Sequence, residues 1–116
     1  MAGKKQRIII QKMISNANES VRYTPSMTYE EFVADNKMVV YSSFYLLQLG
    51  ELIGQLDDSF RDANPQISWS QIKGLRNRIV HHYDGISFPL VWDILQNDVP
   101  KLIADLTALY DSLSEE

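Results

Sequence analysis

Potentially cationic side chains cluster in one short segment in the second half of this 116-residue chain. They are Lys73, Arg76, Arg78, His81 and His82. An imidazole titrates near neutral pH and can move a proton, and a guanidinium can stabilise negative charge on phosphate oxygens. Asn77 precedes His81 by four residues, so on a helix its carboxamide would share a face with the imidazole and could fix its tautomer. The segment is therefore the candidate site for chemistry on a phosphate.

The apolar residues of this segment indicate which side of a helix would face the core. At about 100° per residue, four side chains form one apolar arc. They are Ile72, Leu75, Ile79 and Val80. Arg76 falls within this arc, where an unpaired charge would cost several kcal/mol, so it needs a partner or a water-filled cleft. The alternative is a side chain that extends past the edge of the core to a carboxylate.

Arg76 and His81 are five residues apart and would point about 140° away from each other on a straight helix. Both could act on one phosphate if the helix ended or were distorted near His81. They could also do so if two copies of the site faced each other across a dimer. The spacing alone leaves both arrangements open.

The overall charge of −4, from eleven Lys and Arg against fifteen Asp and Glu, argues against a protein that binds a polyanion over its whole surface. The charge is unevenly distributed. Residues 1–83 hold ten basic and eight acidic side chains, whereas residues 84–116 hold one basic and seven acidic. A polyanion such as RNA would therefore have to bind locally, at the cationic segment.

Several other chemistries are excluded by composition. The chain has no cysteine, so it has no disulfide, thiolate metal site or cysteine nucleophile, which suits a reducing compartment. It has no glycine-rich phosphate loop and no His-Glu-x-x-His zinc helix, so neither a metal nor another cofactor is expected. The apolar run of residues 8–10 is too short for a signal peptide, and no stretch approaches the roughly 20 apolar residues of a membrane span. A cytoplasmic location is expected.

Helical periodicity dominates the sequence, and we predict one all-α domain over residues 1–116. The first helix is predicted from about Lys5 to Tyr23. Thr28 and Glu31 fit a capping box that opens a short helix ending near Asp35. This half of the chain is therefore expected to contribute two helices before the most apolar segment begins.

The most apolar segment predicts a helix from about Lys37 to Arg61, hydrophobic on more than one face and hence central or shared with a second chain. Gly50 and Gly54 within it would let another backbone approach closely. Simple core packing explains the same residues equally well.

Two further helices are predicted in the second half. Ser68 and Gln71 fit another capping box, opening a helix that continues to Tyr83 and is closed by Asp84-Gly85. The last helix begins near Pro89, and Pro100 predicts a kink or restart there with Asp98 as its N-cap.

The segment from Arg76 to Tyr83 resembles the Arg-x4-His-x-Tyr signature of HEPN domains, in particular the small HepT-type toxins that accompany a minimal nucleotidyltransferase antitoxin. Counting four residues after Arg76 and two back from Tyr83 both select His81, which leaves His82 at the variable position. The similarity continues on both sides of the motif and covers nearly the whole chain. The matching residues are Leu49-Gly50-Glu51, Trp69, Trp92 and Asp98-Val99-Pro100, with Val99 at a position where the family usually has a longer aliphatic residue.

The resemblance implies a dimeric, up-and-down bundle of four or five helices that cleaves RNA without a metal ion. Arg76 and His81 would line a cleft at the dimer interface, where a ribose 2′-hydroxyl attacks the adjacent phosphorus. His81 would move a proton, Arg76 would stabilise the phosphorane oxygens, and Asn77 would position these groups. The other cationic residues would bind RNA. They are Lys73, Arg78 and His82.

Tyr83 has a separate implied role as the acceptor of AMP from the nucleotidyltransferase antitoxin. The modification would place bulk and negative charge at the RNA cleft and so neutralise the toxin. The alternative is an interfacial tyrosine that packs on Trp92 or its neighbours. The implied partners are RNA, the cognate antitoxin and a second copy of the chain, as a homodimer or within a larger hetero-oligomer.

A second function fits the same residues. A non-catalytic HEPN module could use the cationic cleft to bind nucleotide or substrate for a separate nucleotidyltransferase. A third reading is a dimeric helical scaffold whose motif has lost its activity. The presence of both Arg76 and His81 favours the enzyme, because binding alone needs positive charge but no group that titrates near neutral pH.

Overall fold

The computed structural model describes residues 3–81 and 85–113 and confirms the predicted helical fold. Its first half contains four helices, with 3₁₀ turns at Thr24–Ser26 and Ile53–Gln55. They are α1 (Lys4–Ser20), α2 (Tyr29–Val33), α3 (Asn36–Leu52) and α4 (Asp58–Asp62). Its second half adds four more helices, two short strands, and a π turn at Ile94–Asp98. They are α5 (Trp69–Lys73), α6 (Leu75–Ile79), β1 (Val80–His81), β2 (Gly85–Ile86), α7 (Phe88–Asp93) and α8 (Val99–Ser112).

The α3 helix is the centre of the bundle, as its apolar sequence predicted. It packs against α1 along its length, and it also contacts α2, α5, α6 and α7, while α8 covers the other side of α1. The core side chains of α1 and α3 are fully buried, among them Ile10, Met13 and Leu46. No helix in the described ranges is long and apolar enough to cross a membrane.

The short helix α2 begins with the predicted capping box. The Thr28 hydroxyl accepts a hydrogen bond from the Glu31 amide at 3.1 Å, and the Glu31 carboxylate accepts one from the Thr28 amide at 2.8 Å. Two backbone N–H groups that the helix leaves unpaired are satisfied in this way. Phe32 in the following turn is fully buried.

The predicted continuous helix from Lys37 to Arg61 is wrong, because the chain turns after Leu52 and starts α4 at Asp58. Gln6 of α1 accounts for the turn. Its side-chain amide donates to the Asp57 carboxylate at 3.2 Å, and its carbonyl oxygen accepts from the Asp57 amide at 3.1 Å. Gln6 is buried, so this reciprocal pair satisfies polar groups that would otherwise be costly inside the protein.

The two glycines of this region behave differently. A Cβ added at Gly50 would lie 3.0 Å from the Ile72 carbonyl oxygen, so the predicted close approach of another backbone is confirmed there, and the approaching helix is α5. A Cβ at Gly54 would meet nothing within 4 Å, so the same prediction is wrong for Gly54. Gly50 therefore sets the distance between α3 and the segment that carries the motif.

The C-terminal part confirms a helix start near Pro89 and a restart at Pro100. Pro89 lies in the first turn of α7, and Pro100 lies in the first turn of α8, where its missing N–H costs nothing. Asp98 occupies the N-cap position of α8, but its side chain makes no capping hydrogen bond, so its predicted role as a capping side chain is wrong.

Candidate functional site

The motif segment is anchored to the core by one apolar stripe on two short helices. Ile72 of α5 and Leu75 and Ile79 of α6 are buried against the bundle. Gly74 separates the two helices, and the Ser68 side chain makes no capping hydrogen bond at the start of α5. The predicted capping box at Ser68 and the predicted single helix from Ser68 to Tyr83 are therefore wrong. The buried stripe matches the apolar arc predicted from the spacing of about 100° per residue, except that Val80 is only partly buried.

Arg76 lies on the solvent-facing side of α6, although the spacing of about 100° per residue predicted a position within the apolar arc. The arc is narrower than predicted because the five-residue helix buries only Leu75 and Ile79. Among the described residues, the Arg76 guanidinium has no carboxylate or hydrogen-bond partner. Asn77 is exposed beside it. This flank of α6 therefore presents one cation and one carboxamide to whatever approaches from outside the single chain.

The α6 helix ends two residues before His81. Val80 is extended, with φ −105° and ψ 119°, and the Ile79 carbonyl accepts a hydrogen bond from the Ser87 amide at 2.8 Å. Val80 pairs with Ile86 and His81 with Gly85 in an antiparallel ladder. The backbone of His81 therefore lies in a strand, and the requirement that the helix end near His81 is met.

This ending also changes two predictions about the motif. The 140° separation of Arg76 and His81 was a property of a straight helix, and so was the helical face shared by Asn77 and His81; neither applies to a strand residue. Gly85, the first residue of β2, has a positive φ of +73°, a conformation that favours glycine. The side chain of His81 and the whole of His82, Tyr83 and Asp84 lie outside the described residues, and so do the predictions made for them.

The opposite flank of α6 is tied to α8. Both terminal nitrogens of Arg78 lie 3.3 Å from Oδ2 of Asp98, twenty residues further along the chain. The pair lines a cleft of about 130 Å³ with an apolar floor that includes Leu49 and Leu75. Arg78 was predicted to bind RNA and Asp98 to cap a helix, and the ion pair between them was not predicted. No spacing rule could have found this pair, because tertiary packing alone brings α6 to the start of α8.

Lys73, the last residue of α5, is exposed beside an open groove between α4 and α5. The groove carries charges of both signs. Arg61 and Lys73 are opposed there by Asp58 and Asp62, and Arg61 already forms an ion pair with Asp58. The groove is therefore close to neutral, and Lys73 is the cation within it that has no ion-pair partner in the described parts of the chain.

Taken together, the described site is an exposed guanidinium and an exposed carboxamide, neither with a partner among the described residues, and a short strand that ends at a histidine. A guanidinium binds phosphate oxygens through several N–H donors, and a nearby imidazole can transfer a proton. A small helical bundle with this segment on its surface defines a HEPN-type domain, the class that the motif resembles.

Comparison with known proteins assigns the chain more closely. Residues 13–109 match the HepT-like family model, described as ribonuclease HepT-like. The chain belongs to this HepT-like family of HEPN proteins.

Proteins related to the chain carry ribonuclease names. "Putative RNase MJ1380" of Methanocaldococcus jannaschii is 32% identical over 103 residues, covering 88% of this chain and 94% of the relative. "Probable ribonuclease HepT" of Thermococcus cleftensis is 25% identical over 84 residues, covering 69% of this chain and 73% of the relative. No solved structure matches the chain significantly.

Proposed function

We propose that the protein is a metal-independent endoribonuclease that acts through Arg76 and His81, as the toxin of a toxin–antitoxin pair. The observation that carries the proposal is the exposed guanidinium of Arg76, which has no partner among the described residues and lies on a helix that ends just before the motif histidine. Family membership supplies the substrate class, because the matched family and the related proteins carry ribonuclease names. We place the activity in the cytoplasm, where RNA is abundant.

The reaction needs no group beyond the side chains of the motif. The ribose 2′-oxygen forms a bond to phosphorus and loses its proton, while the bond from phosphorus to the 5′-oxygen breaks and that oxygen gains a proton. His81 moves one of these protons as general base or general acid, and Arg76 stabilises the negative charge on the phosphorane oxygens. Asn77 positions the reacting groups. The products are a 2′,3′-cyclic phosphate end and a free 5′-hydroxyl.

RNA binding draws on the cations next to this centre. Lys73 lies three residues before Arg76 and is exposed, so it can contact a neighbouring phosphate. We assign His82 an accessory contact of the same kind. The surrounding acidic surface limits RNA to this segment, because the net charge of the chain is −4.

The active form is proposed to be a homodimer in which Arg76 and His81 of the two copies face each other. Exposed apolar side chains support a second copy on the bundle: Tyr23, Val40 and Phe44 are each at least half exposed. A dimer also supplies a phosphate with two guanidinium groups, one from each copy. Association into a larger hetero-oligomer with the antitoxin is part of the same proposal.

The antitoxin is proposed to be a minimal nucleotidyltransferase that modifies Tyr83. The phenolic oxygen would attack the α-phosphorus of ATP, forming a bond to AMP as pyrophosphate leaves. The added bulk and negative charge would then exclude RNA. A mass increase of one or more AMP units on Tyr83 after co-expression, absent in Tyr83→Phe, is the expected result.

A non-catalytic module that binds nucleotide or substrate for a nucleotidyltransferase is the second candidate. It is favoured by the same exposed Arg76, because a binding site needs the cation alone. The two functions differ in whether His81 matters for turnover, and this difference decides the experiment.

The test is cleavage of a single-stranded RNA by the purified protein in EDTA. The wild type is expected to cleave it, and His81→Ala is expected to lose about 10²- to 10⁴-fold in rate with its fold intact. His82→Ala is the matched control, since it removes the adjacent imidazole and is expected to raise KM but keep kcat. RNA binding without cleavage by the wild type would favour the binding module, and equal cleavage by His81→Ala would exclude the proposed mechanism.

The same assay examines the composite site. Arg76→Ala and His81→Ala, each inactive alone, are mixed and allowed to exchange subunits. If each site takes Arg76 from one copy and His81 from the other, half of the dimers carry one intact site and about a quarter of the wild-type activity returns. No recovery, or a monomer by light scattering at micromolar concentration, would contradict the composite dimer.

A further inference from the structure

The ion pair between Arg78 and Asp98 joins the motif helix to the start of the last long helix. Arg78 lies two residues after Arg76 on α6, and Asp98 is the residue immediately before α8. Both Arg78 terminal nitrogens share one oxygen of Asp98 at 3.3 Å. The backbone of α6 is otherwise held to the bundle by Leu75 and Ile79 on one side and by the Ile79–Ser87 hydrogen bond at its end.

The Arg78–Asp98 pair contributes little to the stability of the fold. The side chains of Arg78 and Asp98 are 38% and 48% exposed, and exposed ion pairs contribute little to folding because water screens them. Asp98 has no local role that would explain its position. Its backbone is helical, with φ −99° and ψ −44°, so its carboxylate does not cap α8, and the side-chain hydrogen bonds it makes among the described residues are those to Arg78.

The backbone before Asp98 is shaped in an unusual way. Ile94–Asp98 forms a π turn, in which the Val99 amide donates to the Ile94 carbonyl five residues earlier. A π turn adds one residue to the helical repeat and rotates the residues that follow it. Such turns are rare and are frequent at functional sites. Here Asp98, the last residue of the turn, carries the carboxylate that binds Arg78.

The position of Arg78 on α6 indicates what the pair controls. Two residues along a helix correspond to about 200°, so Arg78 and Arg76 leave α6 on nearly opposite sides. Arg78 cannot easily contact the same phosphate as Arg76. The Arg78–Asp98 ion pair on this side instead restricts the rotation of α6 about its own axis. The narrow apolar stripe of a five-residue helix restricts this rotation only weakly.

We infer that Asp98, acting through Arg78, positions Arg76 for the reaction. This inference rests on the proposed ribonuclease function, and it gives Arg78 a positioning role in place of the RNA contact predicted from the sequence. Neither residue touches the substrate in this account. Loss of the pair lets α6 rotate, so that Arg76 reaches the phosphate less often in the productive orientation, which lowers kcat while leaving the binding of RNA nearly unchanged.

The test compares Asp98→Asn, Arg78→Gln and the double variant with a matched control, Asp105→Asn. Asp105 binds Lys101 within α8 at 2.6 Å and lines the same cleft as Arg78 and Asp98. Among the described residues it makes no hydrogen bond to Arg78, so the control removes the same charge from the same cleft and keeps the pair. Asparagine has nearly the same size and shape as aspartate, and the Asp98 side chain is half exposed, so Asp98→Asn is expected to fold. Folding is checked by thermal unfolding, and kcat and KM are measured on one RNA oligonucleotide in EDTA.

Each pair variant is expected to lose about 10- to 100-fold in kcat with KM changed by less than about twofold. The double variant is expected to lose no more than either single variant, because the two residues act as one unit. Asp105→Asn is expected to keep the wild-type kcat. A wild-type kcat in Asp98→Asn would overturn the inference. So would a raised KM with unchanged kcat in Arg78→Gln, which would mean that Arg78 contacts RNA directly.

Hydrogen exchange separates a failure of this inference from a failure of the proposed function. The Arg78 amide binds the Gly74 carbonyl, and the Val80 amide binds the Arg76 carbonyl. Both amides are expected to exchange faster in Asp98→Asn than in the wild type or Asp105→Asn, whether or not any protein cleaves RNA. Unchanged exchange would overturn the positioning role. Absence of RNA cleavage by the wild type would overturn the proposed function alone.

Discussion

The three long helices and the motif segment are built on different principles. In α1, α3 and α8, fourteen to seventeen residues repeat an apolar face, and burial of that face sustains each helix. The motif segment consists of two five-residue helices and a two-residue ladder, which are too short to be stable alone. The difference shows that the scaffold is specified by its own periodicity, whereas the motif is specified by contacts with that scaffold.

Three contacts hold the motif segment on the scaffold. Gly50 lets the backbone of α5 lie close against α3. The buried side chains of Leu75 and Ile79 anchor α6 to the core, and Arg78 binds Asp98 at the start of α8. Each contact comes from a different long helix or from the core between them. A change in the scaffold should therefore alter stability alone, while a change where the two regions meet should alter activity, with or without a loss of stability.

The largest expected effect is a core truncation in the scaffold. Leu46 of α3 is fully buried, and Leu46→Ala is expected to lower the free energy of unfolding by about 2–5 kcal/mol. Gln48→Ala, at an exposed position of the same helix, is the control and is expected to change it by less than about 0.5 kcal/mol. Urea unfolding measures both. RNA cleavage per folded molecule should be unchanged in Leu46→Ala, and a specific loss of kcat there would break the proposed separation of the two regions.

A smaller effect on stability is expected where the regions meet. Alanine normally stabilises a helix by about 1 kcal/mol relative to glycine, but at Gly50 its Cβ would lie 3.0 Å from the Ile72 carbonyl oxygen. Backbone must move to relieve that contact, and overpacking of this kind costs about 1–3 kcal/mol. Gly50→Ala is therefore expected to lose about 1 kcal/mol net and to lower kcat.

Gly54→Ala is the matched control for Gly50→Ala, because the same added methyl group would meet nothing within 4 Å. It should leave the free energy of unfolding and the cleavage rate close to those of the wild type. If Gly50→Ala were as stable and as active as Gly54→Ala, the close packing of α5 on α3 would not be what places the motif segment.

The same division explains how much the sequence could predict. The capping box at Thr28, the restart at Pro100 and the close approach at Gly50 depend on residue types within a few positions, and all three are confirmed. The turn after Leu52 depends on the hydrogen bonds between Asp57 and Gln6, which are fifty-one residues apart, so no local sequence pattern predicts it. For these reasons the helical fold was predictable, whereas the way its second half is divided into short elements was not.

The candidate site was predicted from its motif, and its geometry was not. Arg76 was predicted to lie in the apolar arc because one long helix was assumed. The α6 helix ends at Ile79, so that assumption does not hold. The Arg78–Asp98 pair joins residues twenty positions apart on different helices. Spacing rules apply within an element, so they could identify the residues of the motif but not the contacts that orient them.

The smallest expected effect belongs to a polar cluster on the scaffold, far in sequence from the motif. Hydrogen bonds from Arg22 and from the Tyr41 hydroxyl lower the pKa of Glu19 from 4.5 to about 2. The same contact with Glu19 raises the pKa of Tyr41 from 10.0 to about 12. The cluster therefore adds stability that depends on pH in two separate windows.

The signs of the two dependences differ. Glu19 binds protons less readily in the folded protein, so its contribution is complete above pH 4.5 and is lost as the pH falls from 4.5 towards 2. Tyr41 holds its proton more tightly in the folded protein, so its contribution is complete below pH 10 and is lost as the pH rises from 10 towards 12. High salt should weaken the part that comes from Arg22, which is exposed.

Unfolding by urea across this pH range, with the wild type, Glu19→Gln and Tyr41→Phe, measures the two contributions. Glu19→Gln is expected to show a shallower fall in stability on the acid side and on the alkaline side, because it removes the partner of both Arg22 and Tyr41. Tyr41→Phe should remove the alkaline fall and keep most of the acid one, since Arg22 still binds Glu19. RNA cleavage at neutral pH should be the same in all three proteins. A loss of cleavage in either variant would show that this cluster acts on the motif segment, and that the scaffold does more than support it.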